Sequence, residues 1–245
     1  IAQPALDRAL GTIQKNLDRQ VSKDLITASD AEAALGRITT SLDFASAVAQ
    51  AELVVEAATE REELKLQIFR DLDALAPVGC ILASNTSSIS IGKIAAVTKR
   101  PELVIGMHFM NPVPVMKLVE IICGYKTSEA TTQAVIALSE ALGKIPISCN
   151  DYPGFVANRI LMPMINEAVE TLQTGVAGVA EIDGIMKLGM AHPMGPLRLA
   201  DFIGLDVCLS ILHVLQDGFG NPKYAPCPLL VNMVTAGKLG AKSGE

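Results

Sequence analysis

The stretch VIGMHFMNPVPVMKLVEII, residues 104–122, decides how this chain is read. Two apolar runs meet in it, ELVIGMHF (102–109) and KLVEIIC (117–123), both rich in the Val and Ile that favour strands. The NPVP link between them is too short for a helical crossover, so an antiparallel hairpin is expected. That hairpin would fold Glu120 back toward His108, bringing two titratable side chains together in an otherwise apolar element.

Upstream, ELVVEAA (52–58) and CILASNTS (80–87) are further short Val- and Ile-bearing runs, and helical patterns at 60–76 and 88–98 separate them from each other and from the hairpin. Strand, helix, strand, helix predicts a mostly parallel sheet covered on both faces. Before it, residues 4–21 place Leu6, Leu10, Ile13, Leu17 and Val21 at helical spacing, a stripe expected to face a core. A short helix should follow, with Ser29 and Glu32 forming the reciprocal capping arrangement at its start. After the hairpin come a helix (128–143) and a strand, IPISCN (145–150); beyond them the patterns are helical at 154–174, 180–189, 196–217 and 227–237. Strand signals stop near 150, so the chain divides into an α/β domain, 1–150, and an all-α domain, 151–245.

Half of the 245 residues are apolar, enough for a sizeable core, and the net charge of −6 without a basic cluster argues against a nucleic-acid surface. Five scattered cysteines, Cys80, Cys123, Cys149, Cys208 and Cys227, lack C-x-x-C spacing. Neither a disulfide framework nor a structural zinc site is expected, no metal is assigned, and a reducing, cytoplasmic setting fits. No apolar stretch reaches the roughly 18 residues of a membrane span without a charge or proline, and IAQPALDRAL does not make a signal peptide.

A histidine titrates near neutrality. At a strand end beside a carboxylate it can take a proton from a hydroxyl while the carboxylate fixes its tautomer and favours its cation. His108 and Glu120 are therefore a candidate general base and its partner. The other reading is a core histidine bonded to a backbone carbonyl, with Glu120 at the solvent edge. SNTSSISI (84–91) puts hydroxyls and an amide at the carboxyl end of the sheet, where open α/β folds bind ligands, although Ser87 or Ser88 could equally be a helix cap. In DYPGFVANRILMPMINEAV (151–169), Asn158 lies within an apolar stripe, so it joins a polar network or touches a ligand.

The ordered set VVEAATE, ASNTSSISI, GMHFMNPVPVMKLVEII, PGFVANRIL, INEA, HPMGPLRLADFIGLD and LGAKSGE closely resembles the 3-hydroxyacyl-CoA dehydrogenase family, especially its bacterial 3-hydroxybutyryl-CoA members. The likeness runs from about residue 4 to the end. It implies a Rossmann-type doubly wound domain followed by a helical dimerisation and substrate domain. It further implies reversible hydride transfer between a nicotinamide cofactor and a 3-hydroxyacyl-CoA, with His108 as acid/base and Glu120 stabilising its imidazolium. By the same resemblance, Ser87 reaches the substrate oxygen and the nicotinamide region, and Asn158 lies near the reacting carbonyl. Glu60 and Lys65 correspond to cofactor-side and CoA-side contacts, and Asn111 and Lys242 complete the cofactor shell. For Lys65 and Lys242 the alternative is a solvated surface lysine.

The family begins with a strand, a G-x-G-x-x-G turn and a helix that hold the cofactor pyrophosphate, and no such turn stands in this sequence. IAQ resembles the tail of that helix and PALDRAL the helix after the second strand. The expectation is that these residues are the ordered part of a longer protein rather than a truncated chain, to be decided by intact mass. Without the acidic residue that reads the ribose, NAD is chosen over NADP on family tendency. Two rivals are another two-domain hydroxy acid dehydrogenase, which would use a lysine, and a non-catalytic structural or CoA-binding relative without the cofactor loop. Ile160, Met164 and Val169 suit either a domain core or a subunit interface, and the resemblance favours a homodimer. His192, before a helix, and His213, at helical spacing, read as structural or surface residues.

Overall fold

The structure, a computed structural model, describes residues 2–244. Its sheet holds β1 (Leu53–Glu56), β2 (Ile81–Ser84), β3 (Val104–Phe109), β4 (Leu118–Cys123) and β5 (Ile145–Asn150), side by side in chain order. β1, β2 and β3 are parallel, β4 runs antiparallel to β3, and β5 is parallel to β4. The expected hairpin is therefore present, and His108 stands opposite Glu120 in its register.

Alternation along the strands builds two cores. Leu82, Val104 and Ile122 face one side, where they pack with Phe69 and Leu72 of α4 (Glu62–Leu75) and Ile91 and Ile94 of α5 (Ile91–Ala96). Ala83, Ile105 and Ile121 face the other side and pack with Val135 of α6 (Glu129–Ala141), the crossover between β4 and β5. Gly106 lets α5 approach the sheet, because a Cβ there would lie 2.8 Å from Ile122 Cβ and 3.1 Å from Ile91 Cδ1.

Three N-terminal details differ from expectation. α1 (Gln3–Val21) has no fully buried residue, and its apolar stripe is only half covered, packing against α2 (Ala28–Gly36) rather than into a core. α2 starts earlier than Ser29. Thr27 and Asp30 have the same spacing as Ser29 and Glu32, and they make the reciprocal bonds, Asp30 N–H to Thr27 Oγ1 and Thr27 N–H to Asp30 Oδ2, both at 3.1 Å. A short helix, α3 (Phe44–Val48), capped by Asp43, is too brief to leave a periodic signature.

The helical part contains α7 (Ala157–Gln173), α8 (Val179–Gly189), α9 (Pro196–Ile203), α10 (Leu205–Phe219) and α11 (Pro228–Thr235). The pattern at 196–217 is two helices, not one: Gly204, at φ +104°, separates α9 from α10, which are bent by 98°. α9 takes its cap from α8, where the two carboxylate oxygens of Asp183 accept the N–H groups of Leu197 and Arg198 at 2.9 Å each. The stripe of α7 is divided, since Val169 is in the core, Met164 is half-buried and Ile160 is 68% exposed. No single described helix is long and apolar enough to cross a membrane. The two domains are latched where Asp151 Oδ2 accepts Ser90 Oγ and Gly92 N–H, both at 2.7 Å, and where Phe155 buries its ring in the α/β core.

Candidate active site

The polar side chains gather at the carboxyl ends of β1, β2 and β3. His108 and Glu120 are cross-strand neighbours, both buried, with Nδ1 2.8 Å from Oε2. The second carboxylate oxygen accepts the N–H of Ala157 at 3.0 Å, at the start of α7. Burial pushes the Glu120 carboxyl up, but the hydrogen bond from His108, the N–H groups of Ala157 and Val156 and the charge of His108 when it is protonated outweigh it and hold the group below the usual carboxylate range. An ionised carboxylate at Nδ1 fixes the hydrogen there, so Nε2 is the free lone pair.

That lone pair points at Ser87, whose Oγ is 3.1 Å away and donates to it. The carbonyl of Ser87 accepts Asn158 Nδ2–H at 3.1 Å, across the domain junction. Phe155 tilts toward the imidazole at a centroid distance of 6.0 Å. The structure thus brings His108, Glu120, Ser87 and Asn158 into one hydrogen-bonded chain, and the alternative of a carbonyl-bonded His108 with a solvent-edge Glu120 does not hold. Beside Ser88 a cleft of about 480 Å³ opens between the domains, lined in part by Ser90, Lys93, Asp151 and Gly218.

Glu60 shapes the turn that carries Ser87. Its Oε1 accepts Thr86 Oγ1 at 2.5 Å, Ser87 N–H at 2.9 Å, Ser88 N–H at 3.0 Å and Ser88 Oγ at 2.9 Å. Partial burial raises its carboxyl, yet the hydroxyls of Thr86 and Ser88, the charge of Lys65 and the Ser87 N–H bring it below the usual range. Neither Ser87 nor Ser88 caps α5; Ser90 does, accepting Lys93 N–H at 3.2 Å.

Lys65 fits neither sequence reading. It is 1% exposed, and its ammonium donates to both oxygens of Glu56 at 2.8 and 2.9 Å and to the Ala58 carbonyl at 3.1 Å, with Glu60 Oε2 at 3.4 Å. It is neither a solvated lysine nor an ammonium open to a ligand. Asn111 is exposed in the loop after β3. Lys242 is paired with Asp206 in the first turn of α10, outside this network. His192 lies between α8 and α9, and His213 is exposed on α10. Sequence reasoning passed over Glu56, Ser84 and Thr86; the one signal was a carboxylate closing the apolar run LVVE.

Residues 1–152 match the family model described as 3-hydroxyacyl-CoA dehydrogenase, NAD binding domain, and residues 154–245 match the C-terminal domain of the same family. A probable 3-hydroxybutyryl-CoA dehydrogenase of Deinococcus radiodurans is 54% identical over 243 residues, covering 99% of this chain and 87% of its own length. A 3-hydroxybutyryl-CoA dehydrogenase of Bradyrhizobium diazoefficiens is 51% identical over 243 residues, covering 99% and 83%. The crystal structure of an (S)-3-hydroxybutyryl-CoA dehydrogenase from Ralstonia eutropha superposes with a TM-score of 0.97 at 50% identity, covering 100% of this chain and 86% of that one.

Proposed function

Because the chain belongs to the 3-hydroxyacyl-CoA dehydrogenase family, we propose that it interconverts (S)-3-hydroxybutyryl-CoA and acetoacetyl-CoA, with NAD rather than NADP as its cofactor. The observation that carries this reading is the buried His108–Glu120 pair, with Nε2 unprotonated and accepting the Ser87 hydroxyl. His108 takes the proton of the 3-hydroxyl at Nε2 in the oxidative direction and returns it in the reductive one. Glu120 stabilises the imidazolium between these events. Before the proton transfer, as substrate binds, the Ser87 hydroxyl exchanges its bond to Nε2 for one to the substrate oxygen, and Asn158 orients the acyl group from the other domain.

The Ser87 hydroxyl and the polar turn beside it, at the strand ends, fit the reacting end of a nicotinamide cofactor. When bound, the cofactor would supply or accept the hydride at C3 of the acyl group. No residue is assigned to its pyrophosphate, because no glycine-rich turn stands among the described residues.

Exposed Ile160, Leu188 and Phe202 on the helical domain support self-association as a homodimer. Five free cysteines support a reducing, cytoplasmic setting.

The test is oxidation of NADH and of NADPH with acetoacetyl-CoA by the full-length protein and by His108→Ala. NADH should be preferred, and the variant should lose about 10²- to 10⁴-fold in kcat. Undiminished turnover by His108→Ala would remove His108 as the acid/base.

A further inference from the structure

Glu56 ends β1 with its side chain buried. It accepts Ser84 Oγ at 2.7 Å from the end of β2, both bonds from Lys65, and the N–H of Ala58. Ser84 Oγ in turn accepts the N–H of Thr86 at 3.2 Å. On the other side Lys65 reaches Glu60 Oε2, and Glu60 Oε1 holds Thr86, Ser87 and Ser88. The turn bearing Ser87 is thus gripped from two directions, and both grips lead back to one carboxylate.

We infer that Glu56 is a positioning residue: acting through Lys65 and Ser84, it holds the Thr86–Ser88 turn so that the Ser87 hydroxyl meets His108 Nε2. Its catalytic consequence rests on the dehydrogenase reading above, but the positioning does not.

Stability alone is a poor reason for this pair, because a buried ion pair is often no more stabilising than apolar residues of the same volume. Geometry supplies the better reason. With Glu56 neutral, the buried Lys65 ammonium has Glu60 as its remaining charged partner, so Glu60 is drawn toward it and its grip on the turn loosens. Removal of both charges leaves Glu60 with its four donors from the turn.

The experiment uses the full-length protein and three variants, Glu56→Gln, Glu56→Gln/Lys65→Met and Ser87→Ala. Amide hydrogen exchange is read first. Glu56→Gln should speed exchange of the 86–89 amides by about tenfold or more while the interiors of β2 and β3 keep their protection, and the double variant should restore it. Unchanged exchange at 86–89, or equal acceleration across the sheet, overturns the inference. Turnover is read second. Glu56→Gln should lower kcat about tenfold or more with little change in KM, but by no more than about twofold in the Ser87→Ala background, since the effect passes through Ser87. An equal loss in both backgrounds also overturns it.

Should Glu56→Gln not fold, Ser84→Ala cuts only the β2 grip; it should loosen the same amides, and no loosening would count against the inference. If the unaltered protein shows no turnover with either cofactor, the dehydrogenase reading fails, while the exchange data still decide the role of Glu56.

Discussion

Replacing Glu120 by Gln isolates the charge of the candidate acid/base pair with almost no change in shape. The carboxylate serves two donors with separate oxygens, His108 Nδ1–H at 2.8 Å and Ala157 N–H at 3.0 Å. A carboxamide has one acceptor oxygen, so one of those donors must face an NH₂ group. With charge centres about 4 Å apart, the attraction between carboxylate and imidazolium is about 4 kcal/mol at an effective dielectric of ~20. That attraction is felt only when His108 carries the proton, so its loss falls on the transition state rather than on substrate binding. Allowing for relaxation, a loss of about 2–4 kcal/mol corresponds to roughly 30- to 1000-fold in kcat/KM, at about 1.4 kcal/mol per tenfold. The assay is (S)-3-hydroxybutyryl-CoA oxidation, the direction in which His108 starts neutral and gains the proton, by Glu120→Gln, His108→Ala and the double variant, with circular dichroism verifying the fold of each. Because Glu120 acts through His108, the double variant should be no slower than His108→Ala. A Glu120→Gln enzyme that is folded and within about threefold of normal activity would refute the paired arrangement as the source of catalysis.

Three further outcomes follow from other contacts. Gly106→Ala sets a Cβ 2.8 Å from Ile122 Cβ, so overpacking should cost about 1–3 kcal/mol and lower Tm measurably in a thermal melt. Lys242→Met breaks a half-exposed ion pair with Asp206, which should change stability by less than about 1 kcal/mol in a urea titration and leave the KM for NADH unchanged; a large rise in that KM would return Lys242 to the cofactor shell. In acid the sign is set by the carboxyls: Glu120 and Glu60 are held below their usual 4.5 in the folded state, so their contribution is fully present above that value and is lost as pH falls through the lower folded values. Glu120→Gln should therefore show a shallower loss of stability between neutral pH and pH 3 than the unaltered protein, measured by denaturant unfolding, within the roughly pH 5 to 1 window typical of paired carboxylates.

Much of the α/β part was legible because its signals are local. The short MNPVPVM link, residues 110–116, excludes a helical crossover, so the antiparallel pairing of β3 with β4, and with it the meeting of His108 and Glu120, could be read from the sequence alone. Other features depend on choices that local pattern leaves open. Thr27 with Asp30 and Ser29 with Glu32 have equal spacing, so spacing alone does not say that α2 takes the first pair. A glycine inside a helical run is tolerated in many helices, so Gly204 did not announce that α9 and α10 part there. The stripe on α1 required cover but said nothing of whether another helix or a core would provide it.

The site itself divides along the same line. A register pair is written into one hairpin, whereas Asn158 and Ser87 are 71 residues apart and meet only because α7 docks against the strand ends. Lys65 lies in the polar run EREELK, and no periodicity could foretell that a strand-end carboxylate draws it inside. Resemblance to a family assigned roles to side chains, but it did not say that Glu60 spends its hydrogen bonds on the Ser87 turn, or that Lys65 spends its own on Glu56 and the Ala58 carbonyl. The helical domain also joins the hydrogen-bond network around the candidate acid/base. Ala157 N–H holds one oxygen of Glu120 and Asn158 holds the backbone of Ser87, so the first turn of α7 touches the base's partner and the turn carrying the hydroxyl. Any motion that lifts α7 from the strand ends must break both contacts together. A displacement of α7 would therefore disturb Glu120 and the Ser87 turn at once, through two adjacent residues.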